Sequence, residues 1–67
     1  MLIDLVDIKG NQLLKYESNI IPRVGEEITH LYYVGKSISW RVASVNYLLS
    51  GSDTINLDLV TITVIRL

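Results

Sequence analysis

The stretch Ile38-Ser39-Trp40-Arg41-Val42-Ala43-Ser44-Val45-Asn46-Tyr47-Leu48-Leu49 decides how the chain is read. Its first half alternates, with Ile38, Trp40 and Val42 apolar and Ser39 and Arg41 polar between them. From Val45 the apolar positions move to odd numbers: Val45, Tyr47 and Leu49, set off by Ser44 and Asn46. Successive residues of a strand point to opposite faces, so a slip of one position either flips the buried face or marks a bulge or bend. The chain's single Trp lies here. The stretch reads as the central strand of a small β domain, with Trp40 and Tyr47 expected in the core.

Toward the C-terminus the slip recurs. Ile55, Leu57 and Leu59 are apolar at odd positions, then Val60, Ile62 and Val64 at even ones. Ser50-Gly51-Ser52-Asp53 reads as the turn before a last strand over 54–67. A three-residue loop sets Leu49 opposite Asp53, Tyr47 opposite Ile55, Val45 opposite Leu57, Val42 opposite Val60 and Trp40 opposite Ile62. A five-residue loop shifts these partners but keeps the phases matched. Both slips then fall at one level of a single hairpin, with Ala43 and Ser44 at the bend, as when a sheet coils to close a barrel.

Toward the N-terminus, Gly35-Lys36 suits a tight turn joining a strand over 26–34 to the central one, with Tyr33 opposite Ile38 and Leu31 opposite Trp40. Residues 18–25 are irregular: Pro22 lacks a backbone donor, and Gly25 can adopt the left-handed geometry a turn needs. Ile20, Ile21 and Val24 predict that this connection folds back over the core. Residues 2–8 and 12–17 form a first hairpin about Gly10-Asn11, with Ile8 facing Leu13 and Leu5 facing Tyr16. A helical turn over 12–18 competes with the second of these strands. Five strands, a long second connection and a bent final hairpin describe one all-β domain, 1–67, a small, partly open SH3-like barrel with a strongly bent C-terminal hairpin. An OB-type barrel fits less well, because Gly35-Lys36 leaves no room for a helix between the third and fourth strands.

Composition narrows the function classes. Sixty-seven residues allow one marginally stable domain, for which oligomerisation is a natural support. There is no cysteine and a single His, which removes disulfides and thiolate chemistry and leaves no zinc ligand set. A net charge of −1 provides no global basic field for nucleic acid. Apolar runs are broken too soon to span a bilayer, and Met1-Leu2-Ile3-Asp4 lacks the basic start of a signal peptide, so a cytoplasmic, non-membrane protein is expected.

Pro22-Arg23-Val24-Gly25-Glu26-Glu27-Ile28, followed by Trp40-Arg41-Val42-Ala43-Ser44-Val45-Asn46-Tyr47, resembles a pattern in short proteins of bacteria and their phages. That pattern runs Pro-x-Val-Gly-Glu/Asp-x-hydrophobic, a spacer, then aromatic-x-Val-x-x-Val-x-aromatic/His. It is similar to the core of SH3-like barrels and covers about two thirds of the chain. The resemblance implies a fold and not a site, and carries over no catalytic residue; an accessory role in a phage or mobile element is a separate expectation.

No reaction is legible. His30 lacks an orienting partner in sequence. The acids are scattered, and adjacent Glu26 and Glu27 point to opposite faces, poor geometry for a shared metal. Each Gly occupies a separate turn, so no phosphate loop exists. No cofactor, metal or enzymatic activity is expected. The candidate binding residues are Tyr32, Tyr33, Arg41 and His30. One of the adjacent tyrosines must face outward if the other faces in, and an outward Tyr32 shares its face with His30 and lies near Ser39 and Arg41. Aromatic and Arg side chains on an exposed face favour protein interfaces.

A protein partner is therefore expected, with self-association into a homo-oligomer through the C-terminal strand, 60–67, as an edge. Binding of nucleic acid or a nucleotide on the same face is the alternative, since aromatic rings also stack on bases. Arg23, Lys36, Arg41 and Arg66 would have to converge to assist it. A small structural or assembly component of a virion is the third reading.

Overall fold

A computed structural model describes residues 1–67. The chain forms five strands and no helix: β1 (Leu2–Val6), β2 (Gln12–Glu17), β3 (Glu27–Tyr33), β4 (Lys36–Ser50) and β5 (Asn56–Arg66). They make one sheet in the order β2-β1-β5-β4-β3, with β1 and β5 parallel and every other pair antiparallel. The sheet curls into a partly open half-barrel of the small SH3-like kind. No helix is long and apolar enough to cross a membrane.

Alternation selects the core. Ile3 and Leu5 of β1, Trp40 and Val42 of β4, and Val60, Ile62 and Val64 of β5 are buried together on the concave face. Leu14, Tyr16, Ile21, Ile28, Ile38 and Val45 pack partly against them. Seven buried side chains are a small core, as a domain of this size dictates.

The 18–26 connection crosses this face as expected. Ile21 packs on the core, whereas Ile20 and Val24 remain exposed. Its Pro-x-Val-Gly-Glu segment is a turn: Glu26 N donates to Arg23 O at 3.0 Å, and Gly25, at φ 92°, occupies the left-handed position a type II turn requires. The Glu26 carboxylate accepts a hydrogen bond from Arg23 N at 2.6 Å. Gly25 N donates to Val42 O and Val42 N to Glu26 O, both at 2.9 Å, stitching the turn to β4.

The strand pairs hold, but their registers differ from expectation. In the first hairpin Leu5 faces Leu14 and Ile3 faces Tyr16, and Ile8 lies beyond β1, exposed. The turn spans Asp7 to Asn11 instead of centring on Gly10-Asn11, because the Asp7 carboxylate organises it, accepting from Lys9 N and Asn11 N at 2.9 Å each. In the second hairpin Gly35, φ 75°, sits at the third turn position, so Tyr33 pairs with Lys36. A bulge at Tyr32 then shifts the register again, placing Ile28 opposite Trp40 and His30 opposite Ile38.

The last hairpin has the five-residue loop, Ser50 pairing with Asn56 and Leu49 with Leu57. Its two phase slips are separate bulges, not one shared corner. On β4 Ala43 is the extra residue between Val42, opposite Val64, and Ser44, opposite Thr63. On β5 the extra residue is Asp58, between the Leu48–Leu59 and Leu49–Leu57 pairs. Ala43 is thus the bend read from the sequence, while the second slip lies farther out along the hairpin.

Candidate functional site

Two regions of surface stand out, and each follows from where strand pairing stops. The first is the seam of the half-barrel. β2 and β3 are the two edges of the sheet and make no close backbone approach to each other. Between them lies an apolar cleft of about 310 Å³, lined by Leu14 and Tyr16 from β2 and Ile28, Thr29 and His30 from β3. Leu14 and Tyr16 point inward because their partners, Leu5 and Ile3, are core residues on the same face. Partial burial holds the Tyr16 phenol above its ordinary pKa of 10.0.

The seam rearranges the candidate residues. His30 does not stand on an outer sheet face. The Tyr32 bulge turns it, with Ile28, to the concave side, where it is half-buried at the rim of the cleft. Its ring lies 6.0 Å from that of Tyr32, tilted by 52°. Leu31, Tyr32, Tyr33 and Val34 are all between 52% and 90% exposed. The bulge breaks the alternation that would have hidden one tyrosine, so both face solvent.

Arg41 belongs elsewhere. It lies between inward-facing Trp40 and Val42 on the convex face, where its Nη2 donates to Glu27 Oε1 at 2.9 Å. The structure joins His30 to Tyr32 and separates Arg41 from both. The four cations do not converge either. Arg66 pairs with Trp40 and so shares the other face from Arg41, Lys36 is five residues away along β4, and Arg23 leans on Glu26 at 3.7 Å.

The second region was missed from the sequence. β3 pairs with β4 only as far as Arg41, and β1 meets β5 only from Val60 to Thr63. β4 therefore has a free edge on its β3 side from Ala43 to Ser50, and beyond Tyr47, residues 48–59 leave the barrel as a bare two-stranded arm in a molecule that measures 47 × 22 × 20 Å. Tyr47 at the root of this arm and Leu48, Leu49 and Ile55 on it are between 51% and 59% exposed. Tyr47 was expected in the core by its phase. It faces the concave side opposite Val60, but no strand lies there to cover it. Apolar residues at both parities, Tyr47-Leu48-Leu49, were the available signal, since a strand covered on one face alternates.

The C-terminal strand lies inside the sheet for part of its length. From Val60 to Thr63 β5 is paired on both sides, with β1 and with β4, whereas Val64 to Arg66 is paired with β4 alone. No three of the His, Asp and Glu side chains come together to hold a metal ion. His30 makes no side-chain hydrogen bond to a carboxylate or hydroxyl. No protein-family model, no curated protein and no solved structure matches this chain.

Proposed function

We propose that this protein is a non-enzymatic interaction module that binds an extended segment of a protein partner along the β2/β3 seam and acts as a homo-oligomer. The observation that carries this reading is the unclosed barrel: two unpaired strand edges flank an apolar cleft lined by Leu14, Tyr16 and Ile28. A segment laid along a free edge gains main-chain hydrogen bonds, and its alternate side chains enter a pocket. Tyr32 and Tyr33 continue the surface from His30 with aromatic area of the kind that anchors interfaces. An accessory role for a phage or mobile element in a bacterial cytoplasm is compatible with such a module.

The nucleic-acid alternative is disfavoured by the cations: Arg41 and Arg23 each face a Glu carboxylate, and none lines the cleft. Selection of displayed random peptides against the purified protein tests the proposal. Selected peptides should shift the backbone amide signals of β2 and β3, and should lose binding at least tenfold to Ile28→Asp and Tyr32→Ser variants. Peptides whose binding ignores both substitutions would overturn it. So would tight oligonucleotide binding that collapses with added salt.

A further inference from the structure

We infer that the arm and the stretch of β4 at its root form a self-pairing surface, and that two copies join antiparallel along the free edge of β4, residues 43–50, to make a sheet four strands wide at the arm. This surface is distinct from the β2/β3 seam, at the opposite end of β4 from the Leu31–Val34 tip.

The need for a partner comes first. An isolated two-stranded hairpin is marginal in water, and three or more strands with a buried face are required for stability. Residues 48–59 have no third strand; across them and the root of β4, residues 43–47, all but Val45 and Leu59 are exposed, and Tyr47, Leu48, Leu49, Ile55 and Leu57 present large apolar groups on both faces. A standard interface takes about 800 Å² from each partner. The whole chain exposes 4852 Å², and every residue from Asn46 to Asp58 is exposed.

The choice between the two free edges follows from charge. Natural sheet edges are protected by charges, proline or covering loops. Residues 43–50, Ala-Ser-Val-Asn-Tyr-Leu-Leu-Ser, contain no charge and no proline, so the segment meets a copy of itself without repulsion. The free part of β5, 56–59, carries Asp58, which antiparallel self-pairing would bring close to its own copy. A two-fold axis at Tyr47 sets Tyr47 against the partner subunit's Tyr47 and Val45 against the partner subunit's Leu49, apolar on apolar. An uncharged, apolar, self-complementary edge favours a second copy over any charged partner.

The chain's lack of cysteine makes a direct test. With Tyr47 on the axis, the Cα atoms of opposed residues stand roughly 4.5–5.5 Å apart, within reach of a disulfide. Tyr47→Cys should give a disulfide-linked dimer on mild oxidation, while Asp53→Cys at the far tip should stay largely uncrosslinked. In light scattering the wild type should run as a dimer, Tyr47→Lys and Tyr47→Glu each as monomers, and their mixture as a heterodimer. Trp40 fluorescence reports that each variant keeps its barrel. A wild type that remains monomeric at high concentration overturns the inference, as does a charge variant that still dimerises or a mixture that stays monomeric. The inference rests on the homo-oligomer half of the proposed function, which a monomeric wild type would remove with it, whereas dimers that form despite the Tyr47 charges would overturn the β4 edge alone; peptide binding at the seam is read separately by the Ile28→Asp variant.

Discussion

Asn11 holds the Asp7 carboxylate at both oxygens, its backbone N–H donating to Oδ1 at 2.9 Å and its side-chain Nδ2 to Oδ2 at 3.0 Å. These bonds favour the ionised form, and the Asn11 side chain, then its backbone, hold the Asp7 pKa below its ordinary value of 3.8. A depressed carboxyl contributes stability that is present above the unfolded value and lost as pH falls through the folded one. The wild type should therefore lose stability as pH drops below 3.8. Asp7→Ala should be less stable at neutral pH and show a shallower loss in that acid range, read by thermal melts across a pH series.

Asp4 presents the opposite case. Its Oδ1 is buried without a hydrogen-bond partner, between Lys15 on β2 and Thr61 on β5. A buried unpaired acceptor costs about 1–3 kcal/mol, and a β-branched side chain suits a strand interior. Asp4→Val should raise stability by about 1 kcal/mol in urea unfolding, within the range for removing such a group. A loss of that size would mean the carboxylate is used.

Tyr16 reports on the seam. Burial raises its phenol above the ordinary 10.0. The neutral phenol's contribution is present below the unfolded value and lost as pH rises through the folded one. Alkaline titration followed by tyrosine absorbance should show one of the four tyrosines ionising late. Tyr16→Phe should remove that component, and a peptide bound in the cleft should delay it further.

Gly51 opens the arm's loop at φ 103°, and a Cβ there would meet the carbonyl oxygen of Thr54. Gly51→Ala should disorder the tip while leaving the barrel core intact. Faster amide exchange confined to residues 46–58, with unchanged Trp40 fluorescence, is the expected signature.

The five strands were legible because each carries its alternation or its turn on its face: Trp40 and Val42, Gly35, Gly25, the run Val60 to Val64. Register was not, because four single residues decide it. Leu13, Tyr32, Ala43 and Asp58 are each inserted without a partner, and nothing in their side chains announces a bulge. One such residue turned His30 from an outer face to the rim of the cleft. Tyr47 shows a second limit. Parity tells which way a side chain points, while coverage depends on where a neighbouring strand ends, and β1 ends its pairing with β5 at Val60. The seam was invisible for the same reason: Leu14 and Ile28 belong to separate strands, and only the curl of the sheet brings them across a gap.

β4 runs unbroken through both barrel and arm, fifteen residues from Lys36 to Ser50. No linker separates the two, so the arm cannot swing freely, and its direction is set by the Ala43 bulge. Two copies paired along it would hold their clefts at a fixed spacing, with β4 as the ruler. A partner presenting two matching segments at that spacing would engage both at once and gain avidity, whereas one with a different repeat would be held by a single site.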